Sequence, residues 1–338
     1  MTAAEILDPR WIAVSDHDGP LGPAELADVV EQGCFVMEMV PPKAGATVLL
    51  DYKTDAALSG AVSIFQDVEV GVIILHRQSD AVKRYHLPGP LPRDWDTARL
   101  TFVWNGPART WSLRFEDSTG TWAQQAHGTN PLPMAGADIL ALCAGQNLLL
   151  KDASVLWFGF CLDKPATAPL AWVGKRCPVD TTRGPVPAEK LRPGDLVLTR
   201  DNGPKVLRAV HQMTLPNGGR FAPILLRAPY FAKSTDLLVS QGQMMLLSGA
   251  AVDYLFAEDA VLAPAYALRD GNSAMIDARR PTTGCIALDL AAPDLILADG
   301  CPLLCSDPGD QMPYRVLQGF EALSLQAMLG RAGQRRAA

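Results

Sequence analysis

Between residues 99 and 116, large apolar side chains recur at every second position. Leu100, Phe102 and Trp104 come first, then Trp111, Leu113 and Phe115, with Thr101, Val103, Ser112, Arg114 and Glu116 between them. Successive side chains of a strand point to opposite faces, so this spacing gathers the apolar residues on one side. Asn105-Gly106-Pro107 falls between the two runs and turns the chain. The result is a β-hairpin with one packed and one wet face, which needs further strands around it. Strand-length runs precede it at residues 34–40, 46–52, 61–65 and 70–76, separated by Gly, Pro, Asp and Ser. Residues 155–160 read as a final strand and 139–142 as a short helix or strand. A helix is expected from Pro23, with Leu26, Val29 and Val30 on one face and Gly33 ending it. This pattern predicts an antiparallel β-sandwich over residues 1–163.

A second β region follows a Pro-, Ala- and Thr-rich linker at residues 164–170. Its clearest stretch runs from Leu191 to Gly203. Pro193-Gly194 makes a tight corner, residues 195–199 a strand, Asp201-Asn202-Gly203 a hairpin turn, and residues 206–210 the returning strand. Further strands are expected at 224–227, 236–240, 244–247, 285–288 and 295–298. Helical spacing of Leu323, Met328 and Leu329 predicts a helix over 319–330. The expected organisation is therefore a sandwich (1–163), a linker (164–170), a second β domain (171–312) and a C-terminal helix and tail (313–338).

Composition narrows the function classes. The 338 residues are 48% hydrophobic and 20% charged, which suits packed cores and excludes a disordered chain. A net charge of -6 argues against nucleic acid as a partner, and the basic tip of Arg331, Arg335 and Arg336 reads as a solvated tail. Seven scattered cysteines do not form a disulfide framework. Cys301 and Cys305 lie four apart without a C-x-x-C pair, and His211 is the only histidine of the second half, so no metal site is expected. There is no Gly-rich phosphate loop and no Gly-x-Ser-x-Gly elbow, and no cofactor is expected. No apolar run reaches the roughly 18 residues of a membrane span. The N-terminus lacks a signal-peptide pattern, which points to the cytoplasm or to export by a signal not visible there.

The second β region resembles a Hint domain, the self-processing fold of hedgehog proteins and inteins. The resemblance rests on five ordered stretches: residues 179–203, 220–228, 236–247 and 254–265, then Leu297-Ala298-Asp299-Gly300. It spans about residues 171–309 and looks most like the Hint domains of bacterial proteins. The 104–111 segment likewise resembles strands of concanavalin-like or laminin-G-like jelly rolls. The resemblances imply an all-β chain: a jelly-roll-like sandwich followed by a Hint-like β domain with a short C-terminal helix.

In the Hint family a first-residue nucleophile, usually Cys, attacks the preceding carbonyl and converts an amide to a thioester. A histidine further on protonates the departing nitrogen. Here the family spacing, about seven residues back from Val179, reaches Trp172 rather than Cys177. Cys177 is only two residues before Val179, ~7 Å along an extended chain, and Pro178 restricts it further. The Ser-Pro-Gln-His-like run of the family reads Ser240-Gln241-Gly242-Gln243, so Gln243 stands at the histidine position and cannot transfer a proton near neutral pH. His211 reads as a surface or hydrogen-bonded histidine.

No residue is therefore assigned a catalytic, cofactor or metal role. The resemblance implies a Hint scaffold without self-cleavage that binds an unidentified protein or glycan, and no enzyme activity other than autoproteolysis. Two alternatives stand beside it. One is self-cleavage by an N-to-S acyl shift near Cys177. The other is carbohydrate binding by the sandwich, drawing on Asp51, Tyr52, His76, Trp95 and Trp122. Glu258-Asp259 and the series Asp289, Asp294 and Asp299 can line a cleft as paired carboxylates, or serve as turn acids.

Overall fold

The computed structural model describes residues 11–17, 21, 26–54, 60–117, 121–162, 171–305 and 313–336. The expected linker at 164–170 lies outside them. The described chain divides into two compact units. One comprises residues up to 162 together with Gly218–Arg220, and the other comprises 171–217 and 221–336. Both are built almost entirely of antiparallel strands.

The first unit is a β-sandwich. Its six-stranded sheet runs Trp11–Val14, Val155–Cys161, Gln32–Met39, Ala98–Asn105, Thr110–Asp117, Ala123–Thr129. Its five-stranded sheet runs Leu148–Lys151, Ala46–Lys53, Gly60–Asp67, Gly71–Gln78, Ala81–Pro88. The hairpin at 98–117 has the register its alternation requires, Trp104 opposite Trp111 and Phe102 opposite Leu113. Phe35, Leu50, Tyr52, Ile64, Tyr85, Phe102, Phe115 and Phe160 fill the core between the sheets.

Three expectations for this unit meet corrections or refinements. The helix expected from Pro23 is not formed where it is described: Val29–Val30 is a strand that pairs with Met134–Ala135. Its β-branched residues pack better on a pleated surface than on one turn of helix. Residues 139–142 belong to a helix, Gly136–Cys143, which buries Ile139 and Leu142. Ala123–Thr129 is a strand that period-two reading missed. Its sequence AQQAHGT has no large apolar residue, and it is held as an edge by its pairing with Thr110–Asp117.

The sandwich buries charge on the side of the six-stranded sheet that carries Glu38. Glu38 is fully buried and directly opposite Arg99, itself 1% exposed. The Arg99 guanidinium donates to Glu38 Oε1 from Nε at 2.9 Å and from Nη2 at 2.6 Å. Glu38 Oε2 accepts from Trp157 Nε1 at 3.1 Å and from the Arg220 N–H at 2.7 Å. Four donors on one carboxylate offset its removal from water.

The second unit has two sheets. The six-stranded one runs Ala209–Pro216, Thr282–Asp289, Val173–Gly174, Leu237–Val239, Ile224–Leu226, Ala274–Ile276. The other begins Gly184–Pro187, Pro178–Thr181, Leu196–Thr199 and continues through Leu295–Ala298, Cys301–Leu304, Met244–Ser248 and Ala260–Pro264. The Pro193-Gly194 corner forms as read: Gly194 has φ 97° and the Arg192 N–H donates to Asp195 Oδ2 at 2.8 Å.

The hairpin after this corner differs in register. Gly203 (φ 64°) lies opposite Thr199 and already begins the return strand Gly203–Val206. The expected strand at 206–210 is thus divided, because Ala209–Pro216 leaves to pair with Thr282–Asp289 in the other sheet. A three-residue loop closed by a left-handed Gly explains the shift. Ala250–Phe256 is a short helix that the sequence did not announce. The C-terminal helix, Gly319–Arg336, buries Ala322 and Leu325, whereas Leu323, expected on its packed face, is 57% exposed.

Two measurements check the sandwich interior. Arg99→Leu leaves Glu38 charged and short of its partner, and is expected to lower stability in urea titration by about 3–5 kcal/mol, part of which Glu38→Leu/Arg99→Leu recovers. His76 is 5% exposed, and burial pulls its pKa down to about 4. The unfolded chain therefore takes up its proton near pH 6.5 while the folded one does not, so stability falls as pH drops from 6.5 towards 4. His76→Leu is expected to remove about 3 kcal/mol of that fall, read as the difference between the two proteins' urea midpoints across the range.

Candidate functional site

Val173–Gly174 is only two residues long, yet it pairs on both sides. Val173 lies opposite Ile286 on one neighbour and Val239 on the other. The residue before it, Trp172, is 3% exposed, and its carbonyl accepts the Ser240 N–H at 3.0 Å. That bond brings Trp172 against the turn Ser240-Gln241-Gly242-Gln243. The Gln243 N–H donates back to the Ser240 carbonyl at 3.2 Å and closes the turn. The Ala265 and Tyr266 N–H groups donate to the carbonyls of Gln243 and Gln241 at 2.9 and 3.0 Å.

The two positions that family spacing marked for nucleophile and histidine therefore lie together. Trp172 carries no nucleophilic atom. Gln243 is 2% exposed, and its amide nitrogen donates to the Leu304 carbonyl at 2.6 Å and the Met244 carbonyl at 3.1 Å. Both amide hydrogens are thus spent on the surrounding backbone, and the group serves as a cross-link between strands. Ser240 is 1% exposed and its hydroxyl has no hydrogen-bond partner among the described residues.

Cys177 lies elsewhere. Its N–H donates to the Gly174 carbonyl and its carbonyl accepts the Ala188 N–H, both at 2.9 Å, so the chain is held in a turn before Pro178. The thiol is buried among Val179, Ala188 and Cys301 in the core. Burial, with Cys301 and Asp299 nearby, pushes its pKa up to about 12. A thiol in that state is not the thiolate that an acyl shift requires. Close by, Lys233 is 4% exposed and its ammonium donates to the Leu226 and Thr235 carbonyls at 2.8 and 2.9 Å. Burial lowers the Lys233 pKa.

The acids of the second unit act in turns. Asp294 accepts the Asn202 side-chain amide and the Leu295 N–H. Asp299 takes the N–H and hydroxyl groups of Ser234 and Thr235, which hold its carboxyl below the usual range. Asp289 accepts the Ala291 N–H, while Glu258 and Asp259 are exposed at the end of the short helix. His211 sits within a strand opposite Ala287, half-exposed. Among the described residues, no three His, Cys, Asp or Glu side chains group as metal ligands. Nor is any helix there long and apolar enough to cross a membrane.

In the sandwich, the five residues considered for a sugar site do not share a surface. Tyr52 and His76 point into the core, Asp51 points outward and accepts the Ser63 hydroxyl at 2.7 Å, and Trp95 packs edge-on against Phe115 at 5.6 Å. Trp122 packs against Phe115 at 5.3 Å with the rings inclined by 58°.

Residues 173–305 match the family model of the Hint domain. The chain carries a Hint domain. The matched segment opens one residue after Trp172 and takes in both sheets of the second unit. No curated protein matches the chain. Among solved structures it is similar to tailspike protein 2 from Escherichia coli O157:H7 bacteriophage CAB120, with 12% identity and a TM-score of 0.23 over 44% of this chain and 21% of that one. It is also similar to the LG1-3 region of the laminin alpha2 chain, with 10% identity and a TM-score of 0.27 over 89% of this chain and 56% of that one. Domains LG4-5 of the mouse laminin alpha1 chain give 10% identity and 0.25 over 89% and 76%. The chain thus spans about a fifth of the tailspike and little more than half of the laminin alpha2 segment. At these TM-scores the description of the sandwich rests on its own sheet register.

Two substitutions separate the roles within the Hint turn. Gln243→Leu strands the Leu304 carbonyl in the interior and is expected to cost about 1–3 kcal/mol in chemical denaturation. Ser240→Ala removes a hydroxyl that has no hydrogen-bond partner among the described residues, and is expected to be neutral or mildly stabilising under the same measurement.

Proposed function

We propose that this Hint domain does not cleave its own chain and that the protein works as a binding or interaction module. The observation that carries the reading is the pairing of Trp172 with the Ser240–Gln243 turn. At the position that family spacing gives the nucleophile stands Trp172, backbone-bonded to the turn, and at the position it gives the histidine stands Gln243, whose amide is already bonded to Leu304 and Met244. Neither side chain supplies the attacking atom or the proton that an acyl shift needs.

Self-cleavage near Cys177 is the competing reading. It requires a thiolate and a strained, accessible amide. Burial holds the thiol protonated, and the N–H of the amide it would cleave, that of Cys177, is bonded to the Gly174 carbonyl. These features favour the non-cleaving reading.

Intact mass of the purified chain decides between them. A single species near 36.3 kDa is expected, unchanged after incubation with dithiothreitol or hydroxylamine. Two fragments divided near Trp172 or Cys177 overturn the proposal, and loss of that division in Cys177→Ala assigns the nucleophile.

A further inference from the structure

The outward face of the sandwich's five-stranded sheet has a character of its own, which does not depend on whether the Hint domain cleaves. Along Gly71–Gln78 and Ala81–Pro88 the buried residues alternate with outward ones. Ile74, His76, Tyr85 and Leu87 point inward and are buried. Leu75, Arg77, Val82 and Arg84 point the other way. Leu75 lies opposite Arg84, and Arg77 opposite Val82. The next row inward pairs Phe65 with Ile73, both half-buried on the same face.

A solvent-facing sheet surface normally carries polar residues. Here Leu75 is 37% exposed and Val82 59%. Arg77 and Arg84 are exposed, and neither is in an ion pair or side-chain hydrogen bond among the described residues. They sit diagonally across adjacent strands, ~7–8 Å apart at the backbone, where like charges repel. Neither strand contains an Asp or Glu, although the whole chain has a net charge of -6. The acids beside this face are Asp80, exposed in the turn that joins the two strands, and Asp51, bonded to Ser63 towards the sheet's far side.

We propose that this face is a docking surface for an acidic polypeptide segment with apolar side chains between its carboxylates. The two guanidiniums offer bidentate sites to carboxylates. Leu75 and Val82 offer apolar area that a purely charged polymer does not use. Among the described residues the phenyl ring on this face, Phe65, is half-buried and leaves no open ring face for a sugar to stack on. A second copy of the chain would set Arg77 and Arg84 against their own equivalents. Two arginines on a net acidic protein are too few for nucleic acid.

The test uses the full chain and three probes: a random copolymer of glutamate and tyrosine, poly-L-glutamate and heparin, each followed by fluorescence anisotropy at low salt. The copolymer is expected to bind several-fold more tightly than poly-L-glutamate. Arg77→Glu/Arg84→Glu is expected to weaken copolymer binding by about tenfold or more. Leu75→Ser should weaken the copolymer alone, and Lys205→Glu, on the other unit, should change nothing. All these side chains are exposed, so unchanged melting temperatures confirm that the variants fold. Equal binding by wild type and the double variant overturns the proposal. Heparin binding tighter than the copolymer, lost in the double variant, also overturns it and makes the face an anionic-polysaccharide site.

Discussion

The carbonyl of Trp172 and the N–H of Ser240 lie 3.0 Å apart, and the Hint unit is arranged around that bond. A strand as short as Val173–Gly174 has little surface of its own to bury. It is held because it lies between Thr282–Asp289 and Leu237–Val239, and its pairing fixes what lies at each end. At its start, Trp172 meets the turn that carries Gln243. At its other end, the chain turns through Gly174 and Cys177 into Pro178–Thr181 and the second sheet. The short strand thus sets Trp172 against the turn at one end and leads Cys177 into the core at the other.

Charge is handled in opposite ways by the two sheets of the sandwich. Glu38 and Arg99 are withdrawn from water together, each satisfied by geometry that water would otherwise supply. Such a pair is costly to break and adds little when intact, so its main effect is to fix which strands lie beside one another. On the five-stranded sheet, Arg77 and Arg84 stay in water with no ion pair among the described residues. Burial therefore makes one set of charges structural, and exposure leaves the other available to a partner.

Much of this was legible in the chain. Leu100, Phe102, Trp104, Leu113 and Phe115 announce their hairpin because the side-chain period of a strand is two and the core admits only one face. Pro193-Gly194 and Gly203 announce corners because few residues adopt positive φ. Trp172 and Gln243 could be placed by counting, since the stretches around them keep their spacing. Other elements were hidden. Ala123–Thr129 has no alternation to read, because an edge strand can be held by its neighbour's backbone. Val29–Val30 looks helical beside Leu26 until its partner Met134–Ala135, about a hundred residues away, is known. Leu323 fits a helical stripe, but the packed face is set by the surface the helix meets, and that surface selects Ala322 and Leu325.

Period, turn chemistry and residue identity are local properties, so the sequence alone determined the β class, the corners and the absence of a nucleophile at position 172. Partnership is not local. Only the tertiary structure decided that the Trp172 carbonyl bonds the turn that carries Gln243, that Gln243's amide is consumed by Leu304, and that Cys177 is buried as a thiol. It also decided that Arg77 and Arg84 share an open face. Each of these depends on strands far apart in the chain coming into register. That register follows from the whole set of backbone pairings and core contacts and from no single stretch.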